Sequence, residues 1–325
     1  MAEEDLFGNL LGQPLAVQLL RAALQRRRLA PAYLFAGPDG VGRRLAAQRF
    51  LEGVLSGGES RPGLRRRLEQ GNLAGLLWVE PTYLHQGQAV PASQAEAMGV
   101  SRRTPPQIRL EQVREVSRFL GRCPVEAERP LVVIETAEAM AEAAANALLK
   151  TLEEPGDGIL ILISAAPEQL LVTIRSRCQC IPFRPLSPSE MAAVLEREGG
   201  EAATPSLPAD PPELLAMAGG SPGALLRHRR HWHLLPEGMA ERLRELPSHP
   251  LGALELARDI SESMDGDQQL WLLQWWQIAL WRQRRDRGPM DRLELLRKHL
   301  LSHVQPRLAW EVTLLELSGQ GGKDR

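Results

Sequence analysis

The chain has 325 residues, enough for two or three domains with separate cores, and its charge is nearly balanced at 39 Lys and Arg against 40 Asp and Glu. That balance excludes a global electrostatic pull toward nucleic acid or an anionic membrane surface. No stretch reaches the roughly 18 uninterrupted apolar residues of a membrane span. The start Met1-Ala2-Glu3-Glu4-Asp5 does not read as a signal peptide, so a cytoplasmic location is expected.

The first predicted strand is Ala32-Tyr33-Leu34-Phe35-Ala36. Gly37-Pro38-Asp39-Gly40-Val41-Gly42-Arg43-Arg44 follows it, and then Leu45, Ala46, Ala47 and Phe50 at helical spacing. Strand, glycine turn and helix form the context of the phosphate loop G-x-x-x-x-G-K-[ST]. In that motif backbone N–H groups cradle phosphates, the Lys reaches the β/γ oxygens and the hydroxyl ligates Mg²⁺. Arg43 stands at the Lys position, and its planar head does not simply replace an ammonium. Arg44 stands where the hydroxyl should be and cannot ligate a metal. The expectation is phosphate-binding ancestry without productive Mg·ATP binding; the alternative is a glycine turn that never met a phosphate.

Segments 56–63 and 86–106 are rich in Gly, Pro and Ser and are expected as surface insertions. Further strands are predicted at 76–79, 131–134, 159–163 and 180–183. Helices are predicted at 110–120, with Val113, Val116 and Leu120 on one face, and at 141–152, stopped by Glu153-Glu154-Pro155-Gly156. Continuous rather than alternating hydrophobicity fits parallel strands covered on both faces, hence a doubly wound α/β domain over 1–185.

After Pro185 the pattern becomes helical. A short helix is predicted at 188–196, a turn-rich connector at 199–212, and a helix pair over 213–230 broken by Gly219-Gly220-Ser221-Pro222-Gly223. This gives a small domain over 186–235. From 236 to 325 helices are predicted at 253–263, 268–285, 290–302 and 308–317. The run from Trp271 to Trp281 is apolar nearly all round, which suits a helix packed on two sides, in a bundle or between subunits, or else a solitary core helix.

Three cysteines, Cys123, Cys178 and Cys180, are too few for a disulfide framework. Cys178-Gln179-Cys180 lacks the further ligands of a structural zinc site and reads as two strand cysteines. Only Lys150, Lys298 and Lys323 are lysines. The arginine runs 26–28, 65–67 and 282–287 are either DNA-facing or solvated helix faces.

Glu135 closes the strand Leu131-Val132-Val133-Ile134. An acid there, beside a phosphate loop, is how P-loop ATPases hold Mg²⁺ and polarise water, although an isolated strand-end acid would mean little. Asn146-Ala147-Leu148-Leu149-Lys150-Thr151-Leu152-Glu153-Glu154-Pro155 and Thr173-Ile174-Arg175-Ser176-Arg177-Cys178 come next. In this order the chain resembles the bacterial clamp-loader subunits, AAA+ proteins of DNA polymerase III. Leu11-Gly12-Gln13, residues 28–35, Ile108–Arg114 in the form IRLEQVR, and the AGGSPGAL run 218–225 add to the likeness, which covers about residues 8–230.

The resemblance implies an AAA+ P-loop-type domain, a helical lid over 186–235 and a C-terminal helical collar over 236–325. Its motor subunits have an Asp and then a catalytic Glu where this chain has Glu135 and Thr136, and Thr136 cannot act as a base for water. Residues 164–166 carry no obvious Asn or Thr to sense a γ-phosphate. Gly223 stands where motor subunits place a lid Arg. The departures together imply no ATPase activity in cis and a stator-like role. The cysteines that many relatives carry after the loop helix are missing from 56–75, so no zinc is expected.

In this family the arginine of Ser176-Arg177-Cys178 acts in trans on ATP held with Mg²⁺ by the neighbouring subunit. Such a finger can be worth about 10³–10⁵ in rate. The other reading is that Arg177 ties down the last carbonyls of its own helix. Implied partners are the motor (gamma/tau) subunits and the delta subunit, with the sliding clamp and primer–template DNA engaged through the assembled loader. No membrane partner is implied. The rival is a self-sufficient AAA+ ATPase using Arg43 in place of Lys.

Overall fold

A computed structural model describes residues 5–95, 97–100, 104–122, 128–154, 156–198, 210–302 and 304–320. Cys123, Pro155, Lys323 and most of the 199–212 connector lie outside the described residues. The chain divides into two compact units, Met1–Ala203 with Gly220–Gly223, and Thr204–Gly219 with Ala224–Arg325.

In the first unit α1 (Pro14–Gln25), β1 (Ala32–Ala36), α2 (Arg43–Ser56) and α3 (Pro62–Glu69) precede β2 (Leu76–Val79). A hairpin of β3 (Thr82–His85) and β4 (Gln88–Pro91) comes next. It is followed by α4 (Leu110–Leu120), β5 (Leu131–Ile134), α5 (Glu142–Glu153), β6 (Ile159–Ser164), α6 (Val172–Arg175), β7 (Gln179–Pro182) and α7 (Pro188–Glu198). Strands β2, β5, β6, β1 and β7 form one parallel sheet in that order.

β1, β5 and β6 are buried at every position because both sheet faces are covered. One face packs Leu34, Ile134 and Leu162 with Val113 and Val116 of α4 and Leu148 of α5. On the other face Tyr33 meets Phe50 of α2 edge-on at 4.9 Å between ring centroids, and Phe35 meets Phe183 at 5.5 Å. β1 sits between β6 and β7, so the loop after it opens at the carboxyl edge where strand order changes direction. Open parallel sheets bind ligands there.

The two insertions are more ordered than their composition suggests. Gln86 and Gly87, at φ 50° and 78°, form the two-residue turn that lets β4 pair back on β3. Tyr83 and Val90 then pack with Ala95 and Val100. The 56–75 insertion contains α3, which is fastened to α2 by charge. Glu52 is wholly buried and accepts from Arg65 Nε at 3.1 Å, Arg49 Nη1 at 3.4 Å and the Arg61 backbone N–H at 2.7 Å. Arg49 Nη2 reaches Glu69 of α3 at 3.2 Å. Arg65 is thus an internal ion-pair partner, neither DNA-facing nor on a solvated face, while Arg26, Arg27 and Arg28 are exposed.

The second unit holds α8 (Pro212–Ala218), α10 (Met239–Arg244), α11 (Pro250–Ser263), α12 (Gly266–Arg284), α13 (Arg287–Leu301), α14 (Pro306–Gln320) and, from Ala224 on, α9 (Pro222–His233). Asp265 caps α12 reciprocally with Gln268. The apolar α12 packs within this unit against α8, α10 and α13. Trp275 and Trp276 are fully buried, and Trp276 stacks on Trp310 of α14 at 6.0 Å. Their polar edges are placed: Trp276 Nε1 donates to Leu243 O at 2.8 Å and Trp310 Nε1 to Gln269 Oε1 at 3.0 Å. Trp271 Nε1 donates to His228 Nδ1 at 3.0 Å and stacks against His231.

No helix among the described residues is long and apolar enough to cross a membrane.

Two expectations follow from this packing. Glu52→Ala removes the buried carboxylate that Arg49 and Arg65 share, and should destabilise the first unit by roughly 3–5 kcal/mol in urea unfolding, with earlier proteolysis within 56–75. Burial lowers the His228 pKa, with help from the Arg227 and His231 charges, and the Trp271 bond needs an unprotonated Nδ1. The unfolded chain therefore binds this proton more readily, so stability is full above about pH 6.5 and declines as pH falls through that value. Circular dichroism melts from about pH 7.5 to about pH 5.5 should show a shallower decline in His228→Gln.

Candidate functional site: the glycine loop and the Ser176–Cys178 turn

The loop 37–42 takes its shape from close packing. Gly37 N–H donates to Ser164 O at 3.2 Å, and a Cβ at Gly37, whose φ is 152°, would lie 2.3 Å from Phe183 O. Only glycine fits that approach. Gln13, 2% exposed, holds the loop from behind: its Nε2 donates to Val41 O at 3.3 Å and to Arg184 O at 2.8 Å, and its Oε1 accepts from Arg184 N at 3.0 Å. Pro38 and Gly40 complete the turn, and Gly42, in the left-handed region, starts α2.

The two arginines occupy different surroundings. Arg43 is 6% exposed; its Nη2 donates to Asp39 Oδ1 at 3.1 Å, while Nε and Nη1 have no hydrogen-bond partner. Burial lowers its pKa, and the charges of Asp39, Glu138 and Glu135 oppose that shift. Arg44 Nη1 bonds both carboxylate oxygens of Glu135, at 3.0 and 3.1 Å, and its guanidinium lies over the Trp78 ring at 4.9 Å. Burial raises the Glu135 pKa and Arg44 only partly offsets it.

Thr136 adopts φ 50°, an unusual backbone state for a β-branched residue, and opens the short 3₁₀ turn Ala137–Ala139. Glu138 Oε1 accepts from Ala165 N at 2.9 Å, and its Oε2 is buried without a partner. Ser164 is fully buried with its Oγ unpartnered. The structure thus brings 37–44, Glu135, Thr136 and 164–165 together, as the sequence motifs require. It adds Trp78, Glu138 and Gln13, which no motif reading singled out for a role. Of these only Gln13 carried a signal, as part of Leu11-Gly12-Gln13.

Gly223 N–H donates to Gly40 O at 3.0 Å, and Ser221 Oγ donates to Asp39 O at 2.6 Å. A Cβ at Gly223 would lie 2.8 Å from Gly40 Cα and 3.2 Å from Gly40 O. Gly223 is therefore pressed onto the loop itself. Beside the loop Arg44 is paired with Glu135, and the charges of Asp39, Glu138 and Glu135 bear on Arg43.

Ser176, Arg177 and Cys178 form a separate locus after α6. Ile174 seats α6 in the same core as Leu148 and Leu152 of α5. Ser176 Oγ donates to Thr173 O at 3.1 Å. Arg177 Nη1 donates to the same carbonyl at 3.1 Å, and Nη2 pairs with Glu153 Oε1 at 2.9 Å. Arg177 is exposed, and within this chain it ties down its own helix, the plainer of the two sequence readings. Cys178 precedes β7 rather than lying on it, and burial pushes its thiol up to about 12, so it packs as an inert apolar group. Cys180, on β7, is exposed.

Gly223→Arg should lower stability by about 1–3 kcal/mol through overpacking against Gly40. Titration with a fluorescent ATP analogue should show no gain of Mg²⁺-dependent binding. A wild-type unfolding midpoint together with new binding would contradict this account.

With this geometry in place, comparison with known proteins is informative. Residues 12–187 match the family model described as DNA polymerase III, delta subunit, and residues 189–317 match the cyanobacterial DNA polymerase III delta prime, C-terminal domain. The chain is similar to the DNA polymerase III subunit delta' of Bacillus subtilis, 35% identical over 183 residues, covering 54% of this chain and 49% of that protein. It is equally similar, 35% over 223 residues, to the delta' subunit of Pseudomonas aeruginosa, covering 66% of this chain and 60% of the other. The chain thus spans about half to three-fifths of the length of these relatives. A solved gamma subunit-related protein of Thermotoga maritima shares the fold, with a TM-score of 0.54 at 15% identity, over 94% of this chain and 99% of that one. The chain belongs to the delta-prime family of DNA polymerase III clamp-loader subunits.

Proposed function

We propose that this chain is the stator of a DNA polymerase III clamp loader, assisting ATP-driven loading of the sliding clamp onto primed DNA without hydrolysing ATP itself. The observation that carries this reading is the Arg44–Glu135 ion pair, which puts a guanidinium where a metal-bound hydroxyl is needed. In trans, Arg177 supplies positive charge to ATP and Mg²⁺ held by a neighbouring gamma/tau motor subunit. Its exposure at the end of α6 supports that role. The chain itself holds no productive nucleotide and no zinc. Residues 1–185 are the AAA+ body, 186–235 the lid and 236–325 the collar that joins the motor and delta subunits in a cytoplasmic ring. Clamp and primer–template DNA are met through that ring.

A second reading, a self-sufficient ATPase that uses Arg43 as its lysine, is favoured by one fact: Arg43 keeps two buried donors without partners beside the loop. Backbone N–H groups at a helix N-terminus attract anions even without a lysine. Micromolar, Mg²⁺-dependent binding of a fluorescent ATP analogue to the isolated chain, with turnover, supports that reading and removes the first.

In a loader reconstituted with motor and delta subunits, Arg177→Ala should cut clamp-stimulated ATP turnover at the adjoining site by about 10³–10⁵. Assembly, followed by size-exclusion chromatography, should be unaffected. Unchanged turnover would reject the finger.

A further inference from the structure

The Arg177 guanidinium donates to two acceptors of its own chain, Thr173 O and Glu153 Oε1. The carboxylate deserves an explanation, because Glu153 is the last residue of α5 and Glu154 follows it. A helix C-terminus carries partial negative charge, so an acid there is electrostatically misplaced unless a cation sits beside it. Lys150 stands in the same last turn and Arg177 lies against Glu153, so the acid's place there depends on cations and not on the helix alone.

Both side chains remain substantially exposed, at 37% for Arg177 and 55% for Glu153. Their backbones, by contrast, are fixed relative to each other, since Ile174 of α6 and Leu148 and Leu152 of α5 share one core. Only the side-chain tips need to move for the pair to open. An exposed Arg–carboxylate pair is weak, and a phosphate offers the same planar fork more charge and more acceptor oxygens.

We propose that Glu153 is a positioning residue. It parks Arg177 on its own subunit, and Arg177 exchanges this carboxylate for the terminal phosphate of the nucleotide on the neighbouring subunit. The proposal rests on the trans role of Arg177. Glu153 restrains the ground state: while the pair is closed, the finger is held back and its charge is partly neutralised. Once Arg177 has swung onto phosphate, Glu153 has no further part in the bond-breaking step. Its removal should therefore change the apparent affinity for ATP and not the maximal rate.

The test uses the reconstituted loader with clamp and primed DNA, reading KM and kcat for ATP. Glu153→Gln should lower KM by about two- to fivefold and leave kcat within about twofold, and the KM difference should shrink at high salt, which screens exposed charges. Glu153→Asp keeps the charge on a shorter arm and should fall between wild type and Glu153→Gln. It also serves as the second variant if the first assembles poorly. A KM that is unchanged or raised in Glu153→Gln, or a fall in its kcat, overturns the proposal while Arg177→Ala still shows its loss, so the finger survives. If Arg177→Ala leaves turnover intact, finger and parking contact fail together.

Discussion

A guanidinium and a carboxylate face each other beside the glycine loop, at the end of β5. Arg44 spans both oxygens of Glu135 and lies across Trp78. That one contact organises the corner of the sheet around the glycine loop. It satisfies the strand-end acid without a metal and fixes the first turn of α2 to the end of β5. It also leaves Arg43 to be balanced by Asp39 and Glu138. With negative charge already supplied by side chains, the backbone is free to close in. Ser221 and Gly223 bond the loop's own carbonyls, and Gly37 leaves room for the Phe183 backbone.

Much of this was legible in the sequence. Strands β1, β2, β5 and β6 were marked by apolar runs, which parallel packing under helices produces and few other arrangements do, whereas the edge strand β7 gave a shorter signal. The order of glycine loop, strand-end acid and Ser176-Arg177-Cys178 identified the fold family and placed the two loci. Other features were not legible, each for a physical reason. Gln86-Gly87 is a weak turn signal beside Asn-Gly, so the β3–β4 hairpin looked like a loop. The Glu52 cluster joins residues separated by an irregular segment, and a charged residue in a helical pattern reads as solvated until its partners are known. Cys178 reads as a strand residue in the sequence, but the strand begins one position later.

The contribution of Gly223 lay deepest. Its sequence context shows only a glycine-rich turn. The backbone approach to Gly40, which crowds any side chain there, is a property of two segments far apart in the chain. The same holds for Glu153, which reads as a helix-ending acid until Arg177 is seen against it.

The tryptophans are distributed unevenly, and this has a practical side. Of the seven, Trp232, Trp271, Trp275, Trp276, Trp281 and Trp310 belong to the second unit, while Trp78 stands alone in the first. Trp78 lies directly under the Arg44 guanidinium. Because it stands apart from the six others, the difference in emission between wild type and Trp78→Phe isolates an optical reporter of the loop corner. Anything that pulls Arg44 off the ring would be seen as a change in that emission, without a dye or label.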